Sequence, residues 1–286
     1  MPRDILQATD LDLITLQQLF ARADGFALES QPVLRDKTIA FALWDDAAAP
    51  ITSAEAAING AGGEVKTLEM RNAPPNAAEL ARLLDALNAD AVLLSHPEAG
   101  QAKAVADGAR APLLNAGDGG NENVVRALLD LYAIRTLKET LTDLRVALLG
   151  DLKSGAEAHS LARLLVHFPL HLSFVSPAAL SMPYDLTDEL RAAGMEVEET
   201  NDLPTTLRKA DVLYLSRLDP RRVESRVYQK AKDFYDLTPT LYDQAKPGLV
   251  ALGEWDDAQE LLRPTRERVT EASHAMLLAL LEYAMT

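Results

Sequence analysis

The sequence predicts a two-domain α/β protein in which largely parallel sheets are flanked by helices. Three observations predict it. Short β-rich runs alternate with amphipathic helical stretches, the pattern of parallel strands joined by crossover helices. The alternation fills one block, passes through a single long helix, and resumes in a second block. The 286 residues, 48% of them hydrophobic, suffice for two packed cores.

The elements follow in chain order. Leu11 to Ala23 reads as a helix, and strands are expected at Thr38–Leu43, Glu64–Leu68, Ala91–Ser95 and Pro112–Leu114. Of the helices between them, Ala77–Leu87 is the clearest. A long helix is expected from about Asn123 to Lys138, with Leu128, Leu129, Leu131, Tyr132 and Leu137 as its apolar stripe. In the second block Val146–Leu149 is a strand and Gly155–His167 a helix. Further strands are expected at Leu172–Val175, Glu196–Glu198, Val212–Leu215 and Leu249–Leu252, and a last helix from about Glu267 to Ala284. The domain boundary is expected near Thr136–Arg145, giving domains 1–136 and 137–266. There is no short-period repeat.

Composition narrows the function. A net charge of −15 disfavours nucleic acid, anionic membranes and phosphorylated substrates unless a local basic pocket overrides it. The absence of cysteine rules out disulfides and thiol nucleophiles and weighs against zinc. No apolar run approaches the roughly 20 residues that cross a bilayer, and MPRDILQATD carries no leader-like apolar segment. A cytoplasmic location is expected, with no nucleic-acid or membrane partner and no cofactor.

Generic catalytic patterns are missing. There is no G-x-S-x-G, Walker A or H-E-x-x-H motif. His167 and His171 have chelating i,i+4 spacing, but Pro169 breaks a helix between them, so no metal site is expected. Gly150-Asp151-Leu152-Lys153-Ser154-Gly155 follows a strand and opens a helix, which suits either a bound anion or a tight turn. Gly117-Asp118-Gly119-Gly120 is a second glycine-rich turn. The adjacent acids Asp45-Asp46 and Asp256-Asp257 are acid–base candidates, although such pairs at element ends are commonly solvated caps.

Several blocks carry a family resemblance. Asn115-Ala116-Gly117-Asp118-Gly119, running on to Ala127-Leu128-Leu129-Asp130-Leu131, resembles the N-A-G-D-G-x-N-x-H-P-T-Q-A-L-L-D-L segment of aspartate carbamoyltransferases. Gly150-Asp151-Leu152-Lys153, Gly155 and His159-Ser160-Leu161-Ala162 are similar to G-D-L-K-x-G-R-T-x-H-S-L-A. Asp211-Val212-Leu213-Tyr214-Leu215-Ser216-Arg217 resembles D-V-L-Y-x-T-R, while Ser53-Ala54-Glu55 and Gly62-Gly63 echo S-F-E and L-G-G. The blocks keep the family's order from about residue 38 onward. The resemblance implies a carbamoyltransferase-like fold, with a carbamoyl-phosphate-type domain over 1–136 and an aspartate-type domain over 137–266. It also implies a C-terminal helix, about 267–286, packed on the first domain, and a homotrimer with shared active sites.

The departures from the family pattern are concentrated where it binds anions. S-T-R-T-R is replaced by Ala47-Ala48-Ala49-Pro50-Ile51, R-H-P by Ser95-His96-Pro97, and H-P-T-Q by Asn123-Val124-Val125-Arg126. The G-R-T arginine becomes Ala156, next to Glu157, and H-P-L-P is replaced around Ala251-Leu252-Gly253-Glu254. The loop that lends a serine and a lysine to a neighbouring subunit reads Asn72-Ala73-Pro74-Pro75-Asn76. Asp219 stands for the family glutamine after Arg217. Ser53, Ser95, Asn123 and Arg126 therefore mark a degenerate anion site. Arg217, Lys153 and His159 remain as substrate-binding candidates by resemblance, and no catalytic residue is assigned.

A doubly charged ligand needs charge-assisted hydrogen bonds worth about 1.5–3 kcal/mol each. Losing four exceeds the ~5–8 kcal/mol of typical micromolar-to-millimolar binding. The remaining helix N-terminus, roughly +0.5 charge, does not replace them. Arg126 is a gained cation, expected to pair internally with Asp45, Asp46 or Glu122. The reading that follows is a catalytically inactive family member with a structural or regulatory role in an assembly, with an active carbamoyltransferase or dihydroorotase as possible partner. The alternatives are a binding protein or enzyme for a different small carboxylate, with Arg126, Arg217, His96 and Asp118 lining its cleft, or an active aspartate carbamoyltransferase of pyrimidine biosynthesis.

Overall fold

The computed structural model describes residues 3–28, 32–44, 55–68, 76–218, 223–234, 238–254 and 259–286. It divides into two compact units, Met1–Tyr132 with Thr270–Thr286, and Ala133–Val269. Both are α/β with wholly parallel sheets, as the strand–helix alternation predicts.

In the first unit helix α1 (Leu13–Leu28) precedes strand β1 (Thr38–Leu43). Then come α2 (Glu55–Gly60), β2 (Glu64–Thr67), α3 (Ala77–Ala86), β3 (Ala91–His96), α4 (Gln101–Ala106) and β4 (Leu113–Asp118). The strand order is β2-β1-β3-β4. Asn76 opens α3 by accepting the Glu79 N–H at 3.0 Å, an N-cap that satisfies one orphan helix donor. Leu80 and Leu84 of α3 then face Val92 and Leu94 of β3 in the core. The outer edge of β4 is covered by Ile5, which exchanges backbone bonds with Leu113 and Asn115.

Helix α5 (Val124–Lys138) leads into the second unit. There β5 (Arg145–Gly150), α6 (Ala156–Leu165), β6 (His171–Val175), α7 (Tyr184–Ala192), β7 (Glu196–Thr200), α8 (Leu203–Leu207) and β8 (Val212–Ser216) follow. The chain continues through α9 (Ser225–Phe234), α10 (Pro239–Tyr242) and β9 (Val250–Gly253) to α11 (Gln259–Met285). The strand order is β7-β6-β5-β8-β9. Leu149, Val175, Leu213 and Leu215 form its core with Leu203 and Leu207 of α8. Edge strand β7 reads Glu-Val-Glu-Glu-Thr and is largely exposed, a charged edge that resists pairing with other chains.

Three expectations need correction. The strand expected at Pro112–Leu114 runs to Asp118, because the motif backbone pairs on along β3 as far as His96. Gly117 and Asp118 are thus the strand's end, not a free turn. Helix α5 carries no single apolar stripe: residues 122–134 are all buried, as for a helix enclosed on every side. Helix α11 begins eight residues before Glu267 and contains Pro264. Among the described residues no helix is long and apolar enough to cross a membrane.

Candidate functional site

Each sheet reverses its strand order once, between β1 and β3 in the first and between β5 and β8 in the second. In open parallel sheets the crevice beyond the strand ends at such a point is where ligands bind. The two crevices are therefore the places to look for the candidate residues.

In the first unit Leu43, the last residue of β1, pairs with Ser95 of β3. The next residues, Trp44 and His96, meet with ring centroids 5.2 Å apart in an edge-on arrangement. His96 is buried, and burial holds its imidazole below the ordinary value, so the ring is neutral. Its Nδ1 accepts the Glu98 N–H at 3.0 Å. Ser95 is buried within the strand. Ser53, Asp45, Asp46, the replaced stretch 47–51 and the loop 72–75 lie outside the described residues, as do Asp219, Asp256 and Asp257.

The Asn115–Gly119 motif is a structural knot. The buried Asp118 carboxylate accepts N–H bonds from Gly100 at 2.9 Å and Glu122 at 3.1 Å, and from the side chains of Asn121 and Asn115. Gly119 donates to the His96 carbonyl at 2.8 Å, and its φ of +63° brings it so close to Pro97 and Ala99 that a Cβ would clash. Asp118 is therefore spent holding two loops together, not presented to a ligand. Asn123 caps α5 by accepting the Arg126 N–H at 3.1 Å. The Arg126 side chain is buried and pairs with Asp130 one turn on, Nε to Oδ2 2.6 Å. Its ion pair with Asp130 stands beside the three anticipated partners, of which Asp45 and Asp46 lie outside the described residues. Asp130 lies at i+4, the spacing at which helical side chains meet.

In the second unit Gly150 of β5 lies opposite Ser216 of β8. A Cβ on Gly150 would sit 1.9 Å from the Ser216 carbonyl oxygen, so only glycine permits this approach. Asp151 follows and is buried; burial pushes its carboxyl up, although it accepts the N–H groups of Lys153 and Ser154 at 3.1 and 3.0 Å. His159 is buried on α6 with Nε2 2.8 Å from the Leu152 carbonyl, pinning the same turn. The Lys153 side chain points away from the core and is exposed. Lys153 and His159 thus serve the turn, one through its backbone and one through its ring.

Two further residues complete this crevice. The buried Ser216 hydroxyl lies 3.0 Å from the Asp151 carbonyl and 2.9 Å from Glu157 Oε1. Its single proton is shared between two acceptors. Glu157 stands in the first turn of α6, whose N-cap, Gly155, has no side chain to offer. An acid there complements the positive end of the helix. Arg217, next to Ser216, has its Nε buried without a hydrogen-bond partner among the described residues. Leaving such a donor unmade costs about 1–3 kcal/mol.

His171 pairs with Glu196 of the neighbouring strand at 2.8 Å, and His167 lies beyond the end of α6. Both line a surface cavity of about 370 Å³ at the opposite, N-terminal end of the sheet. Among the described residues no three acidic or histidine side chains converge to hold a metal ion.

Comparison with known proteins places this geometry in context. Residues 3–136 match the carbamoyl-P binding domain of aspartate/ornithine carbamoyltransferases, and residues 142–252 match the Asp/Orn binding domain. The aspartate carbamoyltransferase catalytic subunit of Methanocella arvoryzae is 35% identical over 228 residues, 77% of this chain and 73% of that protein. That of Methanopyrus kandleri is 32% identical over 261 residues, covering 87% and 84%. The solved aspartate transcarbamoylase of Trypanosoma cruzi, in complex with carbamoyl aspartate and phosphate, superposes with a TM-score of 0.86 over 97% of this chain and 95% of its own. At 24% identity that likeness speaks for the fold.

Proposed function

The chain belongs to the aspartate/ornithine carbamoyltransferase family, and we propose that it is a member without carbamoyl-transfer activity, kept for a structural or regulatory role in an assembly. One observation carries this reading: Arg126, the one cation gained at the degenerate anion positions, is already neutralised by Asp130. Asn123 is engaged as a helix cap, Ser95 is buried, and Ala156 has no polar group. Removing even one donor to developing transition-state charge costs about 100-fold to 1000-fold in rate. Several are missing here at once.

On this reading residues 1–136 with the last helix form the carbamoyl-phosphate-type domain and residues 137–266 the aspartate-type domain. The assembly is a homotrimer in the cytoplasm, bound to an active carbamoyltransferase or to a dihydroorotase of pyrimidine synthesis. A mixed trimer is disfavoured, since this chain's loop 72–76 lacks the serine and lysine a neighbour would need. Calorimetry with carbamoyl phosphate and with a bisubstrate analogue tests the reading; no saturable heat is expected at millimolar ligand. Carbamoylaspartate formation by the purified chain alone would overturn it.

A second reading, a binding protein for a small carboxylate, is favoured by the buried, unpartnered Nε of Arg217. It predicts that a simple carboxylate raises the melting temperature of the wild-type chain, since a ligand of the folded state stabilises it.

A further inference from the structure

The cavity of about 370 Å³ at the N-terminal end of the second sheet joins acids to an apolar wall. Its volume falls within the roughly 300–1,000 Å³ typical of small-molecule sites. Its fixed charges are Asp143, just before β5, and Glu196, the first residue of β7; no Lys or Arg lines it. Val166, Phe168 and Met195 supply apolar surface. Strand β6 lies between β5 and β7, so the backbones that carry the two carboxylates stand two strand spacings apart, about 10 Å. Both acids are positioned. The Asp143 N–H donates to the Pro169 carbonyl at 2.8 Å, which fixes its backbone, and its carboxylate has no partner among the described residues. Glu196 holds His171 Nδ1 through one oxygen at 2.8 Å, and its side chain is otherwise open at 78% exposure. Nearby cations are directed elsewhere. Arg191 pairs with Glu199 and Arg163 with Glu189, while Arg145 lines a separate, smaller cavity beside α8. Uncompensated acids in a concavity, on a chain of net charge −15, concentrate negative potential there.

We propose that this cavity binds a linear aliphatic diamine, with its two ammonium ends on Asp143 and Glu196 and its methylene chain along Phe168 and Met195. Each ammonium then keeps a charged acceptor as it leaves water, and the methylenes cover apolar surface that water otherwise wets. A monoamine satisfies only one of the two acids. A compact metal ion leaves the apolar wall bare, and among the described residues no three acids or histidines converge on one. The cavity lies at the opposite end of the sheet from the crevice at Gly150 and Ser216, so the inference goes beyond the functional reading above and does not depend on it.

The test uses cadaverine as the diamine and pentylamine as its single-charge counterpart, at constant ionic strength. Calorimetry on the whole wild-type chain is expected to show saturable cadaverine binding with a Kd on the order of 1 mM or tighter. Pentylamine is expected to bind at least about fivefold more weakly. Asp143→Asn and Glu196→Gln keep the shape of the cavity and remove one charge each, and each is expected to weaken cadaverine by roughly three- to tenfold. Asp188→Asn removes the same charge from the exposed face of α7, outside the cavity, and is expected to leave the affinity unchanged. In a methyl NMR titration the Met195 signal, assigned through Met195→Leu, is expected to move with cadaverine. No saturable binding overturns the proposal, as does pentylamine binding as tightly as cadaverine. Equal losses in Asp188→Asn and Asp143→Asn overturn it too, because they reveal attraction to the overall charge alone, and so does a Met195 methyl that stays still while the diamine binds. None of these results depends on carbamoylaspartate formation, so failure here and failure of the functional reading are separately visible.

Discussion

The two crevices lie at equivalent places in their sheets and are filled by opposite chemistry. In the first unit Trp44, just past β1, and His96, the last residue of β3, meet edge to face, and the imidazole is kept neutral by burial. In the second, glycine backbone presses against Ser216 and the remaining space holds the carboxyls of Asp151 and Glu157. The first closure depends on apolar contact, which tolerates reshaping. The second depends on backbone approach and on acids that must remain hydrogen-bonded, where a single added atom has nowhere to go. The same strand-end position in two sheets is thus lined by whatever side chains the local strands deliver.

The largest effect should come from breaking the second closure. Gly150→Ala places a Cβ 1.9 Å from a backbone carbonyl at φ +129°, and should cost more than about 4 kcal/mol in denaturant unfolding. Gly100→Ala in the first unit, at φ +82° with nothing within 4 Å, should cost only about 1–2 kcal/mol. Comparable losses would show that the two regions do not differ as described.

An intermediate effect is expected from Trp44→Ala, about 2 kcal/mol. With the indole gone, water reaches His96 and its imidazole titrates closer to its ordinary value in an NMR titration. The sign follows from the depressed folded value. The neutral ring stabilises the fold fully above the ordinary value of 6.5, and that contribution is lost as pH falls through the lower folded value. The variant should show a shallower acid-side loss.

The smallest effect is expected from Asp151→Asn, within about 1 kcal/mol at neutral pH, because the amide oxygen still accepts from Lys153 and Ser154. Burial raises the folded carboxyl above its ordinary 3.8, so the folded chain holds that proton more tightly than the unfolded chain. This contribution favours folding at low pH and is lost as pH rises through the folded value. The variant should therefore gain stability relative to wild type as pH rises from the ordinary 3.8 through the folded value. An unchanged difference would show that the second crevice does not strain its acid.

Much of the first unit was legible because its strands are short apolar runs with clear ends: the expected strand Thr38–Leu43 coincides with β1. The Asn115–Gly119 block was legible as a motif but not as a knot, since Asp118 meets Gly100 from 18 residues away. Trp44 was missed as a site residue. Its only signal was its position at the end of a strand, and nothing local reveals that β3 lies alongside. The Arg126–Asp130 pair was within reach of helical spacing alone, yet Asp45, Asp46 and Glu122, the last also four residues from Arg126, were preferred because only the buried surroundings show which acid is close.

Local pattern by itself determined the alternation of strands and helices and the lack of cysteine chemistry, because propensity, periodicity and residue identity are properties of short stretches. Only the tertiary structure decided the strand order, and with it which turns became crevices and which side chains occupy them. Glu157 and Ser216 are 59 positions apart, and what joins them is the pairing of β5 with β8, a backbone interaction that no single segment encodes.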